Sequence, residues 1–492
     1  MNYILLLHTV KHLKYRQILY QIYRKAYKQH YDDLSAPVHD IPSLKTDPLK
    51  KTKCIEGDTF TFLNLSSPFS GWNANKFGAL WTNNQCYFDW LFQDGISERE
   101  SLKWIDRFID DYKTIVQGRR AYSTSLRIIN WVKFFCKCPH SSNKKRENSL
   151  YSQLKWLEKN VEWQTMGNHV LENAFGLYIG ALYFQDDKLQ KKSRTLLVGQ
   201  LKEQILPDGA HYEQSPMYHC ILLDRLLDCI NICNHTDGDL IYYAQLMLGH
   251  LESIIWRDGS IPLLNDSACG IAPSAKQLFN YSHRLGLKWE SIPLRECGYR
   301  KMNTERMEVI VDIGDVTASY QPGHTHADSL NYELRIEGKP FVVDTGISTY
   351  NKDERRQKER STLAHNCVSP DMKNSSEVWS GFRVGRRAAV SDVRCMIEDG
   401  KGFVEASHNG FVKKCWRRFT LNENALVIED SYNGDAVSYI HLAEGADEKR
   451  IKVEGANKIV LKPWLYSTEY NQFHDGKVLE IHFNGDLKYI IQ

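Results

Sequence analysis

Between residues 80 and 290, apolar positions recur at intervals of three and four. The pattern runs through Trp104-Ile105-Phe108-Ile109, Leu126-Ile129-Val132, Leu154-Leu157-Val161 and Leu222-Leu226-Leu227-Ile230. This spacing predicts about eight or more amphipathic helices in succession. The breaks between them hold turn residues: Pro139–Ser142, Pro207–Gly209, Thr236–Asp239 and Arg257–Gly259. No fixed-period repeat marks a solenoid. Near residue 305 the period changes to two. Met307–Ile313 alternates, and Phe403–Ser407 and Ala425–Glu429 do so more loosely. Asn422-Glu423-Asn424, Asn433-Gly434-Asp435 and Asn484-Gly485-Asp486 are read as turns separating these runs. Helices followed by strands, without mixing, define an α+β multidomain chain. The expected division is 1–55, a basic helix and linker; 56–303, helical; and 304–492, an antiparallel β-sandwich.

Residues 1–31 read as one basic, aromatic helix carrying Lys11, Lys14, Arg16, Arg24, Lys25 and Lys28. Packing on the next domain is one reading, and contact with a membrane surface is the other. Pro37, Pro42 and Pro48 mark the linker. The apolar run Ile4–Leu7 precedes its lysines, and no small-residue cleavage site follows, so no clear signal peptide is present. A cytoplasmic location is favoured over a periplasmic one. No run is long enough to span a bilayer.

Composition changes the picture only in places. A net charge of +3 over 492 residues gives no indication of nucleic-acid binding. The 12 Trp and 26 Tyr suit carbohydrate grooves and large cores alike. The 12 Cys are scattered without zinc-ribbon spacing and read as reduced structural residues.

The chemistry concentrates around Gly323-His324-Thr325-His326-Ala327-Asp328. Strand-like Leu330–Ile336 and Phe341–Asp344 follow, then Arg360-Ser361-Thr362-Leu363-Ala364-His365-Asn366. On a strand, His324 and His326 would share a face, with Asp344 and His365 arriving on neighbouring strands. Two imidazoles and a carboxylate converging in this way could form a zinc site.

These motifs resemble the heparinase II/III family of polysaccharide lyases. Matching pieces in the helical part are Leu80-Trp81, Phe88-Asp89-Trp90-Leu91, Ser125–Trp131, Gly167-Asn168-His169-Val170-Leu171-Glu172-Asn173, Asp208–His219 and Pro262–Asp266. The resemblance implies an incomplete α/α toroid followed by an antiparallel β-sandwich, an acidic polysaccharide substrate in the groove between them, and β-elimination at a uronic acid. It also implies a structural zinc in some members, with His326, Asp344 and His365 as the triplet.

Elimination needs a neutralised carboxylate, a base for the C5 proton and an acid for the leaving oxygen. Asn168 and His169 fit the first function. Glu172 shares their helix face at i+3 and i+4 and is expected to orient them. Tyr218 fits the acid and, in one stereochemistry, the base, with Tyr212 its rival. His324 is the second base candidate. Tyr212, Glu213, Arg127, Trp81 and Arg360 lie in the matching motifs and are implied substrate contacts. A hydrolase would need two carboxylates across the groove, and Glu213 with Asp266 is the pair to nominate. A carbohydrate-binding protein of a surface-polysaccharide pathway, without catalysis, is the alternative on the same scaffold.

Overall fold

Ser97, Asn143, Asp186 and Asp237 each accept a backbone N–H with their side chains. They thereby open the helices α4 (Glu98–Asp111), α6 (Lys144–Lys159), α8 (Asp187–Gln204) and α10 (Gly238–Ile254). These four bury one face each. Interleaved with them are α5 (Ala121–Lys137), α7 (Asn168–Tyr183) and α9 (Pro216–Ile232), which are buried almost all round. The result is an inner layer of helices wrapped by an outer one. Gly176 lets α7 close on α5, because a Cβ there would lie 2.9 Å from Ser125 Cα. The three-and-four periodicity therefore encodes a double helical layer, flanked by α3 (Ala79–Tyr87) and α11 (Ala275–Leu285).

The computed structural model describes residues 3–27 and 30–492, so Lys28 of the basic run lies outside the described residues. The expected single N-terminal helix is two, α1 (Tyr3–Val10) and α2 (Tyr15–Ala26). Gln17 Oε1 accepts Lys14 N at 2.9 Å and starts a new helix there. A small sheet of β1 (Ile55–Glu56), β2 (Thr59–Phe62) and β3 (Leu65–Pro68), not foreseen from the sequence, precedes the helical layers.

The period-two region forms one large antiparallel sheet. Its strands are β4 (Tyr299–Asn303), β5 (Met307–Asp312), β6 (Tyr332–Ile336), β7 (Lys339–Val342), β8 (Val368–Ser369), β11 (Val390–Glu398), β12 (Lys401–His408), β13 (Cys415–Leu421), β14 (Leu426–Leu442), β15 (Ile451–Tyr466) and β16 (His474–Ile491). β9 (Val378–Trp379) and β10 (Arg383–Val384) pair separately, and a short helix α12 (Glu354–Glu359) interrupts the strands. The path runs β11-β12-β13-β14-β7-β6-β5-β4. Asn303 N at its far end donates to Gly400 O in the β11–β12 turn at 2.8 Å, so the sheet curls nearly shut. Its interior is apolar, with Met307, Val309, Val311, Phe419, Ile428 and Tyr489 packed together.

Asn433-Gly434-Asp435 and Asn484-Gly485-Asp486 are not turns. They face each other inside β14 and β16, where the register shifts between Tyr432 and Asp435. Gly434 (φ 149°) and Gly485 (φ 86°) absorb the irregularity of a β-bulge. The fold is thus an α-helical domain followed by an antiparallel β-sandwich.

Candidate active site

Loops from both halves converge at one place. Asn168 opens α7, after Gly167 (φ 58°), where a Cβ would strike Glu213 Oε1. Tyr218 sits in the first turn of α9. Ser215 Oγ accepts its N–H at 3.2 Å and donates to Asp266 O at 2.6 Å. Asp266 comes from the loop between α10 and α11, and Asn265 beside it (φ 55°) accepts His326 N at 3.0 Å. His324 and His326 are in the loop between β5 and β6, not on a strand as expected.

The Tyr218 and His324 rings are 3.9 Å apart between centroids. Asn168 Nδ2 donates to Glu213 Oε2 at 2.7 Å and stands 3.2 Å from His324 Nε2. Tyr350 OH bridges the pair, 3.4 Å from Tyr218 OH and 3.3 Å from His324 Nδ1. Behind them Asp266 accepts from His324 Nδ1 at 2.9 Å, His326 Nε2 at 2.8 Å and Arg356 Nη2 at 2.7 Å, with Arg356 Nη1 on its other oxygen. Tyr87, Tyr122, Tyr470 and Phe382 continue an aromatic lining around this cluster.

Burial alone would raise the Asp266 carboxyl. The Arg356 guanidinium and the two histidine hydrogen bonds outweigh it and hold the group well below the usual carboxylate range. A carboxylate only accepts, so His324 carries its hydrogen on Nδ1, and the basic lone pair of the neutral ring is on Nε2. Burial pushes the Tyr218 phenol above its ordinary value. Asp266 and Glu213 push the same way, against Tyr350 and Arg356, so Tyr218 stays protonated. For His169 burial disfavours the charge, but Glu162, with Oε2 3.2 Å away, offsets this and raises the imidazole.

Asn168, Tyr218 and His324 therefore meet, and half-buried His169 stands beside them against Tyr122. Glu172 does not orient Asn168 or His169. Glu213 and Glu162 do that. Glu172 is fully buried, 3.7 Å from Arg225, its oxygens lack a hydrogen-bond partner, and burial raises it to about 7. Tyr212 is turned away, its hydroxyl 2.7 Å from Tyr320 OH.

Three expected substrate contacts are structural instead. Arg127 is wholly buried on Gln153 and the Gly118 carbonyl. Trp81 is buried and donates to Leu65 O. Arg360 is buried and holds Thr325 O, bracing the loop of the two histidines. A buried arginine and a groove arginine read alike in a sequence. Arg356 is not among the residues expected from the sequence, and Asp266 enters there as half of a hydrolase pair. Pro262–Asp266 was the available signal for Asp266, whereas nothing local marks Arg356.

In the expected metal triplet, Asp344 Oδ2 accepts His365 Nδ1 at 2.8 Å and Asn331 Nδ2 at 2.6 Å. His326 Nδ1 and His365 Nε2 are buried without a hydrogen-bond partner. Burial lowers His326 to about 3, so its Nδ1 presents a free lone pair. Among the described residues, Asp208, His250 and Cys297 bring three ligand-type atoms within 4.8 Å of one another, and the triplet of His326, Asp344 and His365 does not. Two of them are already engaged: Asp208 accepts the Cys297 N–H at 2.9 Å, and His250 Nδ1 is 3.2 Å from the Asp208 carbonyl.

A double helical layer joined to a curled antiparallel sheet, with a Tyr–His–Asn cluster at the junction, places the chain in a class of fold shared with solved heparinases. A heparinase III is similar at a TM-score of 0.59 and 16% identity, covering 84% of this chain and 74% of the other. A heparan sulfate lyase mutant from Pedobacter heparinus gives 0.58 at 16% identity, covering 96% and 87%. In sequence, residues 127–281 match the heparinase II/III N-terminus and residues 287–476 the heparinase II/III-like C-terminal domain. The chain belongs to the heparinase II/III family. A heparin-sulfate lyase of Pedobacter heparinus is 24% identical over 263 residues, 46% of this chain and 39% of that protein. One of Bacteroides stercoris is 19% identical over 318 residues, 57% and 46%. The chain thus spans less than half the length of these two relatives.

Proposed function

We propose that this protein is a polysaccharide lyase that cleaves a uronic-acid-containing, glycosaminoglycan-like chain by β-elimination. The observation that carries the reading is Tyr218 packed against His324, ring centroids 3.9 Å apart, with the Asn168 amide within 3.2 Å of the same imidazole. His324 Nε2 takes the C5 proton. The freed electron pair forms the C4–C5 double bond, and the C4–oxygen bond breaks. Tyr218, still protonated, supplies the proton to the leaving oxygen. The Asn168 amide and His169 stabilise the charge that builds on the uronate carboxylate. Asp266, anchored by Arg356, fixes the His324 tautomer. Substrate entry exchanges the Asn168–His324 contact for contacts to the sugar, as catalytic hydrogen bonds commonly rearrange on binding.

Zinc belongs to the same proposal. His326 and His365 offer nitrogens without partners, and Asp344 offers a carboxylate once its contact with His365 is exchanged for the ion. Zinc there supplies a structural cross-link, since the elimination uses Tyr218 and His324.

The test is ultraviolet absorbance of the unsaturated uronate over a panel of heparan sulfate, heparosan, chondroitin, hyaluronan and alginate. Absorbance rising on one of them is expected. No product on any uronate polymer, with polymer binding intact, would favour a binding protein instead.

A further inference from the structure

The N-terminal helix α2 is inside out, and α1 before it leaves apolar side chains in solvent. A helix lying on a water-soluble domain turns its apolar stripe inward and its polar face to water. In α2 the centre of the inward face is polar, with half-buried Tyr20 beside it near Trp163. Gln17 is buried and donates to Thr165 O and Tyr320 O, both at 3.1 Å, and Arg24 donates to Val161 O at 3.3 Å. About half a turn away, at 100° per residue, Tyr15 (75% exposed), Leu19 and Ile22 (63%) form a stripe facing solvent. α1 is apolar nearly all round: half-buried Leu5 and Leu6 share its inward side with His8 and Thr9. His8 meets Glu377 at 2.9 Å and Thr9 accepts from Trp379 Nε1 at 3.1 Å, while Tyr3, Leu7 (68% exposed) and Val10 face outward.

Charge follows the same geometry. Residues 1–31 contain six Lys and Arg and no Asp or Glu. Lys11 and Lys25 are exposed. Lys25 flanks the α2 stripe on one side and Arg16, lying over the Trp163 ring, flanks it on the other. Lys14 is committed to Glu203. No helix among the described residues is long and apolar enough to cross a membrane. An apolar stripe bordered by cations, on helices too short to span, is the pattern of a helix lying in a bilayer interface.

We propose that α1 and α2 form a docking surface for an anionic lipid bilayer, with Leu7, Leu19 and Ile22 entering the acyl boundary and Lys11 and Lys25 meeting the headgroups. The polar faces, held on Glu377 of the sandwich and Thr165 of the helical domain, keep the rest of the protein outside the membrane.

Flotation of the full chain with vesicles tests this, using phosphatidylcholine alone or with about one-third phosphatidylglycerol. The protein is expected to float with the anionic vesicles and to be released by roughly 0.5 M salt, where screening is short-ranged. Leu7→Glu/Leu19→Glu/Ile22→Glu is expected to weaken binding at least about tenfold. Lys11→Glu/Lys25→Glu is expected to weaken it by more than about twentyfold, since each cation near an anionic surface is worth about fivefold. These side chains are exposed, so both variants should unfold at the parental temperature. The salt titration of the parent needs no variant and is decisive if a variant misfolds. Failure of the parent to float, or floating that the apolar substitutions leave unchanged, would overturn the proposal. So would a concentration-dependent dimer that the triple variant dissociates while vesicles stay bare, because a second copy would then cover this face.

Discussion

Replacing Tyr218 by Phe separates chemistry from packing at the proposed site. The phenyl ring keeps its place 3.9 Å from His324, so the ring contact is preserved. What is lost is one hydroxyl, whose contact with Tyr350 OH is long at 3.4 Å. A weak bond between two hydroxyls contributes at most about 1 kcal/mol, so thermal unfolding should shift little. The proton for the leaving oxygen is another matter. Groups that transfer it typically contribute about 10²–10⁴-fold, and turnover should fall by that amount. Tyr350, which touches both Tyr218 and His324, is the group placed to supply residual turnover. Initial rates of unsaturated uronate formation, measured beside polymer binding and thermal unfolding, separate these effects. Tyr212→Phe is the control. It loses a 2.7 Å bond to Tyr320, away from the site, and should stay within several-fold of the parent. Near-normal turnover in Tyr218→Phe with a dead Tyr212→Phe would show that the other tyrosine acts. Parental behaviour of both, on a substrate the parent cleaves, would refute the tyrosine mechanism.

Asp266→Asn leaves Arg356 without its counter-ion and should cost about 3–5 kcal/mol as well as most activity; parental unfolding and turnover would remove Asp266 from the mechanism. Glu172 has its carboxyl raised to about 7 from 4.5, chiefly by burial, so the folded state holds a proton that the unfolded chain has released. Stability is therefore unaffected below about pH 4.5 and falls as pH rises towards about 7, by roughly 3 kcal/mol in total. Glu172→Gln should be more stable than the parent at pH 8 and equal to it at pH 4, with activity retained; a variant less stable at pH 8 would contradict this. His326→Ala should lower the zinc content of protein purified without added metal, and full occupancy in the variant would move the metal elsewhere.

Much of this was legible in the chain because periodicity reports burial directly. The helices around Trp104, Leu126 and Leu222 and the strand at Met307 all follow from spacing. Bulges were not legible, because Asn-Gly-Asp supplies the same left-handed backbone to a bulge as to a turn. Asn168, Tyr218 and His324 stood out through their motifs. The pairings that position them did not, since Asp266 and Arg356 are 90 residues apart and meet only when two loops close. Glu172 misled for a simple reason: helix spacing allows contact with His169, but it does not show that Glu213 and Glu162 arrive from elsewhere. Period also could not show that α2 turns Gln17 inward and Leu19 and Ile22 outward.

Asp266 belongs to the helical half, while His324, His326 and Arg356 belong to the sheet half. One carboxylate is thus the rivet between two bodies. Pulling the halves straight apart would strip it of all its partners at once, in a buried place where bare charge is costly. Opening the junction is cheaper as a swing about this rivet, with its outer edge travelling far and the centre hardly at all. Tyr218 and His324, next to the rivet, would keep their 3.9 Å spacing through such a swing.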